Sequence, residues 1–243
     1  IAFWARKIAR RPTDSDMTFG YGRAEIVAAL INLTTLIVVG FYLIYEAVLR
    51  FFEPQEVLGW LVIVIAAVAL VVDLATAALT YAMAKTSVNI RAAFMHNLAD
   101  AMGSRAVIGA GLLIWAFGWF WVDPLITLGI AGYILWMALS EIGGVVRILM
   151  LGSPPEMAPD SVLATAEGVD GVVSLHHAHL WQMDEHQSAL QAHMVIETGD
   201  WGRADAIKQA VKMRLEEKHG LTHVTLEMEC AAHVCVNVRR IGH

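Results

Sequence analysis

Apolar residues run through the first 150 positions in stretches far longer than a soluble core helix uses, and beyond residue 150 they change to short alternating and helical patterns. Four stretches come near the roughly 20 residues that a helix needs to cross about 30 Å of hydrocarbon. They extend from about Ile26 to Tyr45, Val57 to Ala84, Ala92 to Trp119 and Pro124 to Ile148. The first carries no charge, the second only Asp73, the third His96, Asp100 and Arg105, and the fourth Glu141 and Arg147 near its end. Pro124 suits a first helical turn, where its missing N–H has no partner to lose. Ile1 to Ile8, apolar and aromatic up to a basic cluster, reads as the end of a preceding span in an N-terminally truncated fragment.

Past Met150 the period changes. Ser153, Pro154 and Pro155 close the last span, and Asp160 is expected to cap a short helix ending near Glu167. Gly171 to Met183 and Ser188 to Glu197 read as β-rich runs joined in a hairpin by Asp184 to Gln187. An amphipathic helix follows from about Arg203 to His219, with Asp200 ahead as cap and Gly220 as stop. The last strand, His223 to Cys230, alternates: Val224, Leu226, Met228 and Cys230 on one face, His223, Thr225, Glu227 and Glu229 on the other. The predicted fold is an α-helical membrane bundle of four complete transmembrane helices plus the end of another, over residues 1–150. A small cytoplasmic α+β domain of order αββαβ, ferredoxin-like or metallochaperone-like, follows over 151–243 and is large enough to bury one core.

Composition sharpens this division. With 57% hydrophobic and 16% charged residues, the 243-residue chain does not have the make-up of a single soluble globule. Lys and Arg balance Asp and Glu in residues 1–150, so the net charge of −6 lies wholly in the remainder, which argues against nucleic-acid binding. In the short loops, Arg6, Lys7, Arg10, Arg11, Arg23, Lys85, Arg91 and Arg147 collect on one side and only Arg50 on the other. That bias places the basic ends, and the whole C-terminal region, in the cytoplasm. Trp60, Trp119, Phe120 and Trp121 then fall at the outer interface. Cys230 and Cys235 are too few to form a disulfide scaffold.

Candidate chemistry lies in both halves. His96 and Asp100 are four apart on one helical face at membrane depth, where ionisable groups point at a cavity, a partner or an ion. They supply two legs of a tetrahedral Zn²⁺ site, or else form a polar pair bonding between helices. Asp73 and Arg105 are expected to neutralise each other. In the acidic half, His176, His177 and His179 cluster on the first strand, His193 lies on the second, and Glu227 and Glu229 project together from the last. Such mixed imidazole and carboxylate faces suit Zn²⁺ or a similar first-row ion, or are simply solvated. Cys230 is expected in the core, and His233 and Cys235 in a tail with at most accessory metal binding.

Together these residues resemble the cation diffusion facilitator family. Thr18 to Ile26 looks like the loop into the family's third span, His96 to Ser104 like its fifth-span ligand motif, and Val122 to Pro124 like the start of its sixth. His176 to Trp181, Gln191 to His193 and His223 to Cys230 match its cytoplasmic domain in order and spacing. The resemblance implies a homodimeric antiporter, not an enzyme, that exports cytoplasmic Zn²⁺ or a related ion such as Co²⁺, Cd²⁺, Fe²⁺ or Ni²⁺ against protons. It implies His96 and Asp100 as transport ligands, and His176, His193, Glu227 and Glu229 as cytoplasmic metal ligands. A short, His-poor loop from Lys85 to Asn89 fits a bacterial inner-membrane member. The competing reading is a membrane-anchored metal sensor or buffer. A metallohydrolase is disfavoured because no His-Glu-x-x-His constellation is present.

Overall fold

The computed structural model describes residues 2–53, 58–84, 88–198, 200–235 and 239–242, with side chains throughout these except at 2, 3, 80, 82–99 and 200. Helix α1 (Ala2–Ala9) is followed by the long helices α2 (Arg23–Phe52), α3 (Gly59–Ala84), α4 (Val88–Phe117) and α5 (Val122–Leu149). Each of these four contains a segment long and apolar enough to cross a membrane. Their large apolar side chains, including Val38, Phe41, Val68, Trp115 and Trp136, are exposed on the chain, as surfaces meant for lipid or a partner helix are. Contacts divide the chain into two bodies: residues 34–140, and residues 1–33 with 141–243.

Within residues 34–140, glycines set the closest helix approaches. A Cβ on Gly59 would lie 2.8 Å from the Trp115 backbone nitrogen and 2.9 Å from Gly111 O. A Cβ on Gly111 would lie 2.7 Å from Ile63 Cγ1. Helices α3 and α4 therefore meet backbone to backbone through small residues, the packing that serves membrane helices in place of a hydrophobic drive. Arg50 near the end of α2 pairs with Glu46 one turn back and with Asp123, 3.3 Å away in the first turn of α5. The expected Asp73–Arg105 pair is not formed. Asp73 accepts a hydrogen bond from Ser104 Oγ at 3.0 Å, and Arg105 is exposed. The packing of α3 on α4 brings the hydroxyl one residue before Arg105 to Asp73, and a hydroxyl satisfies a carboxyl group at lower desolvation cost than an ion pair does.

In the other body, helix α6 (Pro159–Glu167), strands β1 (Val172–Gln182) and β2 (Ser188–Ile196), helix α7 (Ala204–His219) and strand β3 (His223–Cys230) follow in the predicted αββαβ order. The sheet order is β1-β2-β3, with β1 antiparallel and β3 parallel to the central β2. Val162, Leu163 and Ala166 of α6 and Ile207, Val211 and Leu215 of α7 pack with Leu175, Leu180, Leu190, Met194 and Ile196 in one core. Both helices cover the same face of the sheet, which leaves the other face free for polar chemistry. Gly220 closes α7 in the left-handed region at φ +66°, its N–H bonded to Glu216 O, with Leu221 buried behind it.

Two expected caps are corrected. Ala158 precedes α6 with no side-chain cap, Pro159 opens the helix, and Asp160 sits inside the first turn, where its charge favours the helix dipole. Asp200 begins a short 3₁₀ turn, Asp200–Arg203, ahead of α7, and its side chain lies outside the described ones.

The ends of the long helices are tied to the sheet. Gly152 N–H bonds Arg147 O at 2.8 Å, Arg147 Nε bonds Ser153 O at 2.8 Å, and Gln182 N–H bonds Gly152 O at 3.0 Å. At the hairpin tip, Arg23 Nε donates to Met183 O at 3.1 Å, and Phe19 meets His223 edge-on.

Candidate metal centre

The polar face of the sheet owes its histidine arrangement to an irregularity in β1. Leu175, Ala178 and Leu180 all face the core, yet Leu175 and Ala178 are three apart, and strict alternation would put them on opposite faces. A bulge absorbs the extra residue: His176 pairs with His193 and His179 with Gln191, leaving His177 between them at φ +50°. The exposed backbone of the bulge is satisfied by the chain's end, since His177 N–H bonds Arg239 O at 2.9 Å and Ala178 N–H bonds Arg240 O at 3.1 Å. Arg240 is held in turn by Glu167 Oε2 at 2.8 Å.

The bulge groups the imidazoles. The rings of His176 and His193 are centred 5.3 Å apart, those of His177 and His193 5.0 Å, and those of His177 and His179 5.2 Å. His177, His179 and His193 also line a cavity of about 570 Å³ with Ser153, Gln191 and Trp181.

Beside them, β3 supplies Glu229. Its Oε1 accepts from His193 Nδ1 at 2.6 Å, and its Oε2 lies 3.3 Å from His176 Nε2. Cys235 adds its backbone N–H to Oε2 at 3.1 Å and its thiol to Oε1 at 3.2 Å. Burial works against the Glu229 charge, but the hydrogen bonds from His193 and Cys235 and the nearness of His176 outweigh it and hold this carboxyl down at about 2. An ionised carboxylate only accepts, so the proton in the short bond belongs to His193 Nδ1. The same contact, with burial and the charges of Glu229 and Glu227, raises the Cys235 thiol. His176 is buried, and its Nε2 has no hydrogen-bond partner among the described residues, because the approach to Glu229 is close but poorly directed. An orphaned buried ring nitrogen costs roughly 1–3 kcal/mol, which a cation between it and Glu229 would recover.

One donor atom each from His176, His193, Glu229 and Cys235 lies within 4.8 Å of all the others. Two imidazoles, a carboxylate and a thiol are a donor set suited to Zn²⁺ and similar ions. Of the residues expected from sequence, His176, His193 and Glu229 come together. Glu227 sits at the rim, 69% exposed, its Oε2 3.4 Å from His193 Nε2. Cys235, expected in a tail with at most accessory metal binding, joins this group, and the ligand-type run Glu229, Cys230, His233, Cys235 is its signal in the sequence. Cys230, expected in the core, is only half-buried at the end of β3, with Sγ 3.1 Å from His233 Nδ1. That hydrogen bond holds the Cys230 thiol below its usual range. In the membrane half, His96 and Asp100 belong to the single helix α4. The Asp100 side chain is exposed on the chain, and that of His96 lies outside the described ones.

Two family models divide the chain between them. Residues 1–150 match the cation efflux transmembrane domain, and residues 154–231 match the cytoplasmic domain of cation efflux proteins. The chain belongs to the cation efflux family. It is 35% identical over 236 residues to the cadmium, cobalt and zinc/H(+)-K(+) antiporter of Bacillus subtilis, covering 96% of this chain and 76% of that protein. It is 31% identical to the metal cation efflux system protein CzcD of Cupriavidus metallidurans, covering 95% of this chain and 73% of that protein. To the zinc transporter ZitB of Pectobacterium atrosepticum it is 28% identical, covering 94% and 71%. As a cation efflux protein it is a divalent-metal transporter, not an enzyme, of the bacterial plasma membrane. Its sheet domain is cytoplasmic and of a dimerising type.

Proposed function

We propose that this cation efflux protein exports Zn²⁺, or a related ion such as Co²⁺, Cd²⁺, Fe²⁺ or Ni²⁺, from the cytoplasm in exchange for protons, as a homodimer working by alternating access. His96 and Asp100 bind the travelling ion in the membrane half. His176, His193 and Glu229, with Glu227 at the rim, bind metal on the cytoplasmic sheet. The observation that carries the reading is that His96 and Asp100 stand four residues apart on one continuous helix, α4, whose Asp100–Phe117 segment is long and apolar enough to cross a membrane. A membrane anchor has no use for such a pair, whereas a transporter needs ionisable ligands on its ion path.

The exchange rests on competition for the same lone pairs. A neutral imidazole, with an ordinary pKa near 6.5, binds either a proton or a metal ion at cytoplasmic pH. Loading the ion at the cytoplasmic side releases protons from the ligands, and protons arriving from outside return the favour after the helices rock. The names of the relatives support the ion class: the B. subtilis protein is a cadmium, cobalt and zinc antiporter and the P. atrosepticum protein a zinc transporter.

The test is zinc-driven proton flux in vesicles carrying the whole protein. His96→Ala and Asp100→Ala should each abolish it while the protein still inserts and dimerises. Flux at the wild-type level in either variant removes that residue from the ion path.

A further inference from the structure

We propose that Cys235 is the fourth ligand of the cytoplasmic metal site, which makes that site a two-nitrogen, one-oxygen, one-sulfur tetrahedron selective for thiophilic divalent cations. The inference rests on reading His176, His193 and Glu229 as a metal site, and it adds the residue that closes the coordination sphere and decides which ions fit.

The geometry is close to what a tetrahedral ion requires. With metal–nitrogen and metal–oxygen bonds near 2.1 Å and a metal–sulfur bond near 2.3 Å, neighbouring donors stand about 3.4 to 3.6 Å apart. His176 Nε2 is 3.3 Å from Glu229 Oε2, while Cys235 Sγ and His193 Nδ1 stand 3.2 Å and 2.6 Å from the other oxygen, Oε1, as hydrogen-bond partners that an ion would replace. All four donor atoms lie within 4.8 Å of one another, so an ion that takes the place of the hydrogen-bond protons would open the short His193–Glu229 pair and draw the wider pairs in. A second, independent feature points to a ligand: His176 is 8% exposed, and its Nε2 has no hydrogen-bond partner among the described residues. That nitrogen faces the same carboxylate on which the Cys235 thiol rests.

Local structure places the thiol. After β3, the 3₁₀ turn Ala231–His233 reverses the chain, and the Cys235 N–H anchors it to Glu229 Oε2 at 3.1 Å. Backbone and side chain of Cys235 thus both address one carboxylate, which fixes the sulfur beside it. Glu227, which offers a second carboxylate oxygen, stays at the rim with 69% of its side chain exposed and its Oε2 3.4 Å from His193 Nε2, outside the group of four donors. Exchanging that oxygen for sulfur changes selectivity: thiolate favours zinc-like ions, and an all-oxygen and imidazole set accommodates Mn²⁺ better.

The test uses the whole protein in detergent with Co²⁺ as the probe, because thiolate bound to Co²⁺ gives a near-ultraviolet charge-transfer band. The chain has two cysteines, both after residue 229, so a band can arise only from Cys230 or Cys235. The wild type should show the band. Cys235→Ser, at an exposed position that tolerates serine, should lose it and bind Zn²⁺ at least about tenfold more weakly, with Mn²⁺ binding little changed. Cys230→Ser should keep the band. If Co²⁺ binds in a His176-dependent way without the band, or the band survives in Cys235→Ser, the cysteine assignment is overturned and the cytoplasmic site stands. If Co²⁺ binding is indifferent to His176→Ala in a folded protein, the cytoplasmic site itself is overturned.

Discussion

Glu229 takes both hydrogen bonds that Cys235 can give, the backbone N–H at 3.1 Å and the thiol at 3.2 Å, on its two carboxylate oxygens. With His193 on the same group at 2.6 Å, one side chain organises strands β2 and β3 and the segment beyond them. On the proposed function, metal binding and local stability depend on the same carboxylate.

Glu229→Gln should impair both roles together. The amide keeps the shape but loses the charge that draws three donors together, and it turns one acceptor into a donor facing His193 or Cys235. Hydrogen bonds to a charged group contribute about 1.5–3 kcal/mol, so the substitution should lower stability by about 2 kcal/mol and abolish one bound Zn²⁺ per chain. Calorimetry on the whole protein reads the stoichiometry, and an unchanged value contradicts the ligand role.

The pH dependence has a definite sign. The Glu229 carboxyl is held at about 2 in the folded chain against an ordinary value of 4.5. A depressed carboxyl contributes stability that is fully present above about pH 4.5 and is lost as the pH falls toward 2. In chelator, acid unfolding of the wild type should therefore be steeper than that of Glu229→Gln between pH 4.5 and 2. Parallel curves across that window contradict the account.

Most of the fold was legible from periodicity. Residues His223 to Cys230 alternate cleanly and form β3 with the predicted bounds, and Gly220 stops α7 where its freedom at positive φ is needed. The spans were legible from length alone, with ends a few residues off because helices continue into the interfacial region past the apolar run. The bulge was not anticipated, although its trace is visible in hindsight: Leu175, Ala178 and Leu180 break the period of two, and only tertiary packing shows which side yields. The approach of Cys235 to Glu229 is not legible in the sequence for a related reason. A strand pattern stops at Cys230, and nothing in the pattern encodes the turn that brings residue 235 back to Glu229. The expected Asp73–Arg105 pair does not form because the contact of α3 with α4 sets Ser104 Oγ on Asp73, which depth along the two helices does not reveal.

His177 tests the bulge directly. At φ +50° a non-glycine residue carries roughly 1–2 kcal/mol of backbone strain, least for asparagine. His177→Asn or His177→Gly should leave stability unchanged or raise it by up to about 1 kcal/mol, and His177→Val should lower it. Thermal unfolding in detergent ranks the three, and a valine variant as stable as the asparagine one contradicts the strained bulge.

Glycines in the membrane helices should divide into two classes. Gly59→Ala puts a Cβ 2.8 Å from the Trp115 backbone nitrogen and must push α3 from α4, at about 1–3 kcal/mol. Gly129→Ala meets nothing within 4 Å and should be neutral or slightly stabilising through helix propensity. Equal melting temperatures for the two variants would contradict the described helix contact.

The central claim is coupled exchange of metal against protons, and the most direct measurement is Zn²⁺ movement in vesicles of known orientation under an imposed pH gradient. With no other energy source, zinc should accumulate on the side from which protons leave, and inverting the gradient should invert the zinc flux. Zinc movement of the same rate and direction whatever the gradient would contradict the account.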